Sequence, residues 1–467
     1  MHILFIVPYT PTPIRTRPYN LIRGLAARGH QVTLATLWQD EEERAALGRL
    51  EEEGIHILAA HLSRGRALWN CLRALPTGQP LQAHYCWSPS LARALGFEIR
   101  DSRFDVIHVE HLRGARYGLY LKSLISDPQS PIPVVWDSVD CISYLFEQAA
   151  ARSGSFFGRW ATRLELGRTR RYEGWLVGQF DRVLVTSEVD KAALEGLARI
   201  SEAAKQRGGE AVKRRSGEAA KQRSSKSAKQ RSSKSASSFQ LYPIPNTQYP
   251  IPNTQYPIPN TQYPISVLPN GVALDYFTPS AGPRQPDTLV FTGKMSYHAN
   301  VTAALHLVHD IMPLVWQERP QVRVWIVGKD PPRQLQSCTT ENGPRITVTG
   351  TVPDIRPYLR QATVSVVPLV YGAGSQFKVL EAMACGTPVV ATPQAVSALG
   401  VVNGEHALVA EDPDAFAAAV LRLLDDAALR QALGQAGRRY VEQHHDWREI
   451  VGRLEGTYEE AIVREKS

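Results

Sequence analysis

Short apolar, β-rich runs alternate with helical stretches along most of this chain. The runs of the first half are HILFIVPY, HQVTLATL, IHILAAH, DVIHVEH, PVVWDSV, DRVLVTS and ISVLPNGV, and those of the second half are DTLVFTGK, VRVWIVGKD, RITVTGT, TVSVVPLV, TPVVATP and HALVAED. Strands that alternate with helices form parallel sheets covered on both faces. The sequence therefore predicts an α/β protein with two doubly wound domains. Such sheets bind ligands beyond the carboxyl ends of their strands, so two facing domains would place a site in the cleft between them.

A repetitive segment, residues 201–265, interrupts this pattern. Four eight-residue units (SEAAKQRG, GEAVKRRS, GEAAKQRS and SKSAKQRS) precede three copies of YPIPNTQ. The first block has almost no apolar residues and is predicted to be disordered, and the Pro-rich block is predicted to be extended. Residues 201–237 carry a net charge of +8, as does the whole chain, so the remainder is neutral.

This basic segment has two interpretations. It is either an electrostatic tether to acidic lipid or nucleic acid, or a tandem repeat tolerated in a surface loop. We favour the second, because insertions into surface loops cost little stability. No nucleic-acid partner is expected, since the block has no aromatic side chains placed for base stacking.

Composition excludes several classes of protein. The chain of 467 residues is 43% hydrophobic and 21% charged, which is typical of a globular protein. Its longest apolar runs have the length of strands, and its first residues resemble a strand more than a signal peptide. The five cysteines form no C-x-x-C pair, so neither a zinc site nor a disulfide framework is predicted. We expect a cytoplasmic location, with peripheral association at the inner membrane face as the alternative.

The stretch YGAGSQFKVLEAMACGTPVVAT, residues 371–392, is the most specific motif. Ser375 is predicted to cap a helix, with Lys378 at its third position and Glu381 on the same face. A lysine is slightly unfavourable at a helix N-terminus, but an anionic ligand would reverse that, because glycine turns and the helix terminus also favour it. Glu381 suits a hydroxyl pair such as a ribose diol. The alternative is an exposed ion pair of Lys378 and Glu381 with no function.

The segment KVLEAMACGTPVVAT resembles the donor-nucleotide helix of family 4 glycosyltransferases, which are retaining enzymes of GT-B architecture. Other stretches resemble the same family: TGKMSYHANVTAALHLVHDIMPLVW, LPNGVALDYFTP, FDRVLVTSEVDKAAL and DWREIVGRLEGTY. The resemblance implies an N-terminal acceptor-side domain over 1–200, an interdomain segment over 266–284 and a nucleotide-sugar-binding domain over 285–440. It also implies a closing helix over 441–467 that packs back on the first domain.

The resemblance further implies roles for individual residues. Glu381 would hold the ribose, and Lys378 and Lys294 would bind the diphosphate. Further donor contacts are expected from Gly374, Ser375 and Gln376 and, bordering the base, from Thr351, Val352 and Asp354. The family's usual first glutamate falls at Ala373, which places the chain in a subgroup without it and leaves the sugar open.

Polar residues of the first half provide further candidates. Glu110 and His111, after the strand DVIHVEH, are candidate catalytic residues lining the cleft, with a satisfied polar strand end as the alternative. Arg15 and Arg17, after the first strand, are candidates for an anionic acceptor or the diphosphate, or are merely solvated. Asp137 and Asp140 would cap the next helix or position an acceptor, and we favour capping.

The predicted function is transfer of a sugar from a nucleotide-diphosphate donor to a glycan or lipid-linked acceptor, in polysaccharide or glycolipid synthesis. No cofactor or metal is expected. The alternatives are a non-catalytic nucleotide-sugar binder and a membrane-tethered scaffold whose function lies in residues 201–237.

Overall fold

The computed structural model describes residues 1–125, 132–152, 156–226, 263–372 and 376–465. Of residues 149–152, 156–163, 208–226 and 465 only the backbone is described. All thirteen predicted strands are present, and they form two parallel sheets.

The first sheet contains seven strands in the order β3-β2-β1-β4-β5-β6-β7. It is flanked by nine helices within the described ranges. The strands are β1 (His2–Val7), β2 (Gln31–Trp38), β3 (His56–His61), β4 (Val106–Glu110), β5 (Val134–Val139), β6 (Arg182–Val185) and β7 (Ile265–Val267). The helices are α1 (Thr16–Ala27), α2 (Glu41–Glu52), α3 (Arg64–Ala74), α4 (Leu81–Tyr85), α5 (Pro89–Asp101), α6 (His111–Leu124), α7 (Ile142–Arg152), α8 (Phe156–Leu176) and α9 (Glu188–Lys226).

The second sheet has six strands in the order β10-β9-β8-β11-β12-β13. Its strands are β8 (Gln285–Thr292), β9 (Arg323–Val327), β10 (Ile346–Val348), β11 (Ala362–Val367), β12 (Val389–Ala391) and β13 (Leu408–Val409). The helices of this half are α10 (His298–His306), α11 (Met312–Glu318), α12 (Arg333–Asn342), α13 (Arg356–Gln361), α14 (Phe377–Ala384), α15 (Pro393–Val396), α16 (Pro413–Asp425), α17 (Ala427–His444) and α18 (Trp447–Glu465).

The predicted insertion differs in part from the structure. Helix α9 continues to Lys226, so the start of the basic block extends this helix beyond the predicted boundary at residue 200. Its alanines, glutamates, lysines and arginines are good helix formers, which compensates for the lack of apolar residues. Residues 227–262 lie outside the described ranges.

The last helix crosses back to the first sheet. Side chains of α18, among them Trp447, Leu454 and Tyr458, belong to the same buried cluster as Ile3 and Phe5 of β1. The first half therefore completes one face of its core with residues from the far end of the sequence. No helix of the described residues is long and apolar enough to span a bilayer.

The chain passes between the halves twice, and the two passages touch each other. The Val272 amide donates to the carbonyl of His445 at 2.7 Å. The His445 ring, 3% exposed, lies 2.7 Å through Nδ1 from the carbonyl of Asn270. These bonds join the segment after β7 to the segment between α17 and α18.

Candidate functional site

Each sheet has its topological switch point at its first strand, and these points define the site. Strand β1 lies between β2 and β4, and β8 lies between β9 and β11. In such sheets, ligands usually bind beyond the carboxyl ends of the strands, at the switch point. A cavity of about 330 Å³ opens there, and its lining comes from both halves. It is lined by Tyr9, Ile14, Arg15, Thr16, Arg17, Pro18, Glu110, Arg113, Val139, Asp140, Asn270 and Phe377.

Helix α14 approaches this cavity with its amino end, since Phe377 is both its first residue and part of the lining. The structure corrects the predicted cap: Gln376, not Ser375, precedes the helix, so Lys378 is its second residue. Ser375 itself lies outside the described residues, as do Ala373 and Gly374. Lys378 Nζ donates to Gln376 Oε1 at 2.9 Å.

The two charged residues of α14 are half-buried, so they are not a fully solvated surface pair. Burial lowers the pKa of Lys378 to about 8, and the Glu381 carboxylate only partly opposes that shift. Burial likewise raises the pKa of Glu381 to about 7, against the attraction of Lys378. Groups that lose hydration in this way are stabilised by a partner of suitable charge or hydrogen bonding. An anion at Lys378 and a hydroxyl pair at Glu381 would provide it.

The loop before α14 connects the two halves. The Gly372 amide donates to Gln148 Oε1 of α7 at 3.2 Å, and Gln394 Nε2 donates to the Gly372 carbonyl at 2.5 Å. Tyr371 stacks on His298 and lies 2.8 Å through its hydroxyl from His298 Nδ1. Tyr371 and Gly372 are therefore held by side chains from both sides of the cleft.

Glu110 ends β4 on the first half's side of the cavity. Its side chain is buried, its Oε1 accepts from the Tyr9 hydroxyl at 2.6 Å, and its Oε2 has no partner among the described residues. Burial, reinforced by the negative charge of Asp137, raises the pKa of Glu110 to about 8. The carboxyl is therefore mostly protonated at neutral pH and can donate a hydrogen bond.

His111, the other candidate, is not among the residues that line this cavity, but its ring packs edge-on against Tyr9, which is. It has a positive φ of 65° at the start of α6 and accepts from the Arg113 amide through Nδ1 at 3.3 Å. Burial lowers the pKa of His111 to about 3, so the ring is neutral.

Arg17 lines the cavity, but it is not the solvated group that was one of the two alternatives. Its guanidinium is 4% exposed and pairs with Asp137 at 2.8 Å. It also donates to the Leu268 carbonyl and to Asn270 Oδ1, both at 3.0 Å. Asp137 consequently does not serve as the predicted helix cap; it anchors an arginine that holds the interdomain segment.

The buried network extends beyond this ion pair. His108 Nε2 lies 3.6 Å from Asp137 Oδ2, and His108 Nδ1 lies 2.8 Å from the Tyr458 hydroxyl of α18. Asp140 is separate: its Oδ1 accepts from the Thr186 hydroxyl at 3.1 Å.

Arg15 remains accessible at the cavity. Its side chain is 39% exposed, pairs with Glu43 at 2.8 Å and lies over the Tyr9 ring at 5.1 Å. It is the more accessible of the two arginines that follow β1.

The remaining donor candidates are not among the residues that line the cavity. Lys294 is exposed in the turn after β8, where its carbonyl accepts from Asn300 Nδ2 at 3.0 Å. Val352 and Asp354 line a second depression, which shares no residue with the cavity, and Asp354 pairs with Arg356 at 2.7 Å. Thr351 is exposed in the same turn. The described residues contain no cluster of His, Cys, Asp or Glu that could hold a metal ion.

Both halves match family models of glycosyltransferases. Residues 14–205 match "Glycosyl transferase 4-like domain", and residues 286–426 match "Glycosyl transferases group 1". Sucrose-phosphate synthase from Thermosynechococcus elongatus superposes with a TM-score of 0.64 at 17% identity, over 99% of this chain and 100% of the other. The chain has the GT-B fold.

A second GT-B neighbour is an Anabaena protein solved with UDP and glucose, with a TM-score of 0.60 at 14% identity over 98% of this chain and 100% of that one. Among curated sequences, the phosphatidyl-myo-inositol mannosyltransferase of Mycobacterium tuberculosis (strain H37Rv) is 30% identical over 204 residues, which is 41% of this chain. The match spans 53% of the relative, about half its length. A GDP-mannose-dependent phosphatidylinositol monomannoside mannosyltransferase from Corynebacterium glutamicum is 30% identical over 40% of this chain and 53% of its own.

Sequence reasoning missed several groups at the cleft of this GT-B chain. Tyr9 follows β1 directly, and that position alone could have indicated it. Asn270 and Phe377 gave no comparable signal, because their places depend on how the halves meet. Val139 has a positive φ of 68°. β-Branched residues rarely adopt this conformation, so nothing in the sequence indicated it.

Proposed function

We propose that the chain is a glycosyltransferase that moves a sugar from a nucleotide-diphosphate donor to an acceptor hydroxyl in glycolipid or polysaccharide synthesis. The observation that carries this proposal is the pair Lys378 and Glu381, which burial drives toward neutrality at the amino end of a helix beside the cleft. The two glycosyltransferase family models support it independently. No observation favours a non-catalytic binder.

In the proposed complex, the donor diphosphate lies at the amino end of α14. A phosphate at Lys378 would stabilise its ammonium form, and the helix terminus and Lys294 would add to the attraction. These same groups would stabilise the charge that develops on the leaving diphosphate, without rearrangement during the reaction. Glu381, one turn further on, would accept from the ribose hydroxyls. The proposed reaction requires no resident cofactor or metal.

Glu110 is proposed to act from the opposite side of the cleft. As a neutral carboxyl it would donate from Oε2 to an oxygen of the donor sugar or the acceptor, while Tyr9 holds Oε1. A carboxylate there would repel the phosphates. Arg15 is proposed to meet an anionic acceptor such as a lipid-linked phosphate, a class suggested by the names of the phosphatidylinositol-related relatives. Membership of family 4, retention of configuration and peripheral membrane association are finer parts of the same proposal.

Donor binding tests the site directly. UDP-glucose, GDP-mannose, the free nucleotides and pyrophosphate would be titrated calorimetrically, and release of nucleotide would be followed with and without acceptor. Lys378→Ala should weaken binding of every diphosphate by about tenfold or more, since one charge-assisted contact is lost. Glu381→Ala should weaken nucleotide binding but leave pyrophosphate binding unchanged.

Lys205→Ala is the matched control, because Lys205 is exposed on α9. Unchanged donor affinity in both α14 variants would refute the proposed site. Tight donor binding without turnover on any acceptor tested would favour a binder over an enzyme.

A further inference from the structure

Helix α3 and the single turn that follows it, Leu75–Thr77, present large apolar side chains to solvent. Leu68 is 62% exposed, Trp69 54%, Leu72 50% and Leu75 47%. We call these four residues the α3 patch. Residues three and four apart lie on one side of a helix, so Leu68, Trp69 and Leu72 form a single stripe. Isolated exposed apolar residues are ordinary, but contiguous ones indicate an interaction surface.

The core does not use this stripe. The buried side of α3 consists of Ala67, Asn70 and Ala74. Asn70 Nδ2 donates to the carbonyls of Tyr85 and Trp87 at 3.2 and 2.8 Å. The helix is thus attached to the domain through small and polar residues, and its large apolar residues point away.

Arginines border the stripe on both sides. At 100° per residue, Arg64 lies on one flank and Arg66 and Arg73 lie on the other, and all three are exposed. The sequence from Leu62 to Phe97 contains four arginines and no aspartate or glutamate. The surface is therefore apolar along its middle and positive at its edges.

The surrounding contacts hold α3 in place without a ligand. The Ser63 hydroxyl caps the helix by accepting from the Arg66 amide at 3.2 Å. Arg168 of α8 donates to the Leu75 carbonyl at 3.0 Å, and the Leu81 amide donates to Glu165 of α8 at 2.6 Å. The patch is consequently a preformed feature of the first half.

We infer that the α3 patch docks this protein on an anionic lipid bilayer, with Trp69 and the three leucines at the acyl boundary and the arginines on lipid phosphates. Charge complementarity decides between a bilayer and a protein partner. A helix with apolar residues in the middle, Trp among them, and only positive charges at its flanks matches an interfacial helix. Arginine can extend its guanidinium to the headgroups while its stem lies on apolar surface. The inference rests on the peripheral membrane association proposed above and gives it a surface, but it does not depend on the donor chemistry.

Flotation of the full chain with vesicles tests this inference. The vesicles would be phosphatidylcholine alone, or equal parts of phosphatidylcholine and phosphatidylglycerol. We expect binding to the anionic vesicles only, weakened by added salt because of screening. The variant Trp69→Gln/Leu72→Gln should lose about tenfold or more of that binding, and Arg64→Gln/Arg66→Gln/Arg73→Gln should lose its preference for anionic lipid.

Val402→Gln is the matched control, because Val402 is an exposed apolar residue (49%) in the second half. A variant without residues 208–262 removes most of the basic repeats and should float like the wild type. Trp69→Phe keeps the apolar stripe, and it should retain binding while quenching of tryptophan fluorescence by brominated lipid falls.

Four outcomes would overturn the inference. The first is failure of the wild type to float with anionic vesicles. The second is flotation of both α3 variants at the wild-type level, with circular dichroism showing that they are folded. The third is loss of flotation on removal of 208–262, which would assign lipid binding to the repeats. A wild-type dimer that dissociates in Trp69→Gln/Leu72→Gln and does not float would show that a second copy covers the patch.

Discussion

Glu110 shows how a single buried carboxyl links the site to stability. Its pKa is raised from 4.5 to about 8, so between these values the folded chain retains a proton that the unfolded chain has lost. Stability must therefore fall as pH rises through this window. Glu110→Gln removes the titrating group but keeps an acceptor for Tyr9. We expect this variant to be more stable than the wild type by of order 3 kcal/mol at pH 7, with no difference near pH 4.5.

Urea denaturation at several pH values would measure this gain. Glu53→Gln is the control, since Glu53 is an exposed partner of Arg23. A gain that does not depend on pH would show that Glu110 is ionised in the folded protein. In the proposed reaction, Gln would keep a hydrogen-bond donor, so activity should persist and lose its decline at high pH.

The second prediction compares the buried ion pair of Arg17 and Asp137 with an exposed ion pair on the same helix. Arg17→Met leaves the Asp137 carboxylate buried without its main partner, and we expect a loss of about 3–5 kcal/mol in the free energy of unfolding. Arg23→Met, also on α1, breaks an exposed pair with Glu53 and should cost at most about 1 kcal/mol. Denaturant titration of both variants provides the comparison. Equal losses would mean that Arg17 is not the residue that holds the interdomain segment.

At this scale, sequence reasoning singled out Lys378 and Glu381, whose donor roles stay predictions, but it did not foresee that Arg17 is buried. A basic residue after the first strand looks the same in sequence whether it faces a ligand or a buried carboxylate. The distinction depends on Asp137 and Asn270, which are more than a hundred residues away. Pairings over such separations leave no local pattern.

At the scale of elements, the packing of α1 on α18 depends on a glycine. A Cβ at Gly24 would lie 2.5 Å from Val451 Cγ2. We expect Gly24→Ala to destabilise the protein by about 1–3 kcal/mol through overpacking, despite the better helix propensity of alanine. Gly48→Ala is the control on α2, where a Cβ meets nothing within 4 Å, and it should stabilise by roughly 0.5–1 kcal/mol.

Thermal unfolding of the single variants and of Gly24→Ala/Val451→Ala completes the test. The double variant should lose less than the sum of the two single losses, because the clash is absent. Additive losses would show that the helices do not meet at this point.

Elements were also the level at which the sequence was most informative. All thirteen strands were predictable, because each coincides with a short apolar run. Such a run is a local signal that can be read without knowing which strands pair. The continuation of α9 into the basic block was not predicted, because helix propensity and the lack of apolar residues gave opposite indications. The amino end of α14 was misplaced by a residue for a similar reason, since several polar residues there could cap.

At the scale of the whole molecule, the repetitive insertion leaves and re-enters the fold at one place. The Tyr263 hydroxyl donates to Glu202 Oε2 at 2.8 Å, so the segments before and after residues 208–262 are in contact. A short Gly-Ser link can therefore replace this segment without strain, because closing a short loop between adjacent ends costs little. We expect the shortened protein to keep its unfolding midpoint within about 2 °C, corresponding to a change of roughly 0.5 kcal/mol or less.

Calorimetry and the nucleotide-release assay would compare the shortened protein with the wild type. The control is a full-length variant with the same Gly-Ser link inserted into another surface loop. A shortened chain with no activity would support the scaffold interpretation of the repeats. Otherwise the function lies in the two α/β halves.

The crossing of α18 back to the first sheet has a consequence for biosynthesis. One face of that sheet is covered in part by Trp447, Leu454 and Tyr458 of α18. These residues leave the ribosome after every strand of both sheets. The N-terminal half therefore cannot complete its core before α18 has been synthesised, whatever the order in which its own strands pair. A nascent chain stalled before α18 would expose the apolar faces of β1 and α1, and would be a substrate for chaperones until translation resumed.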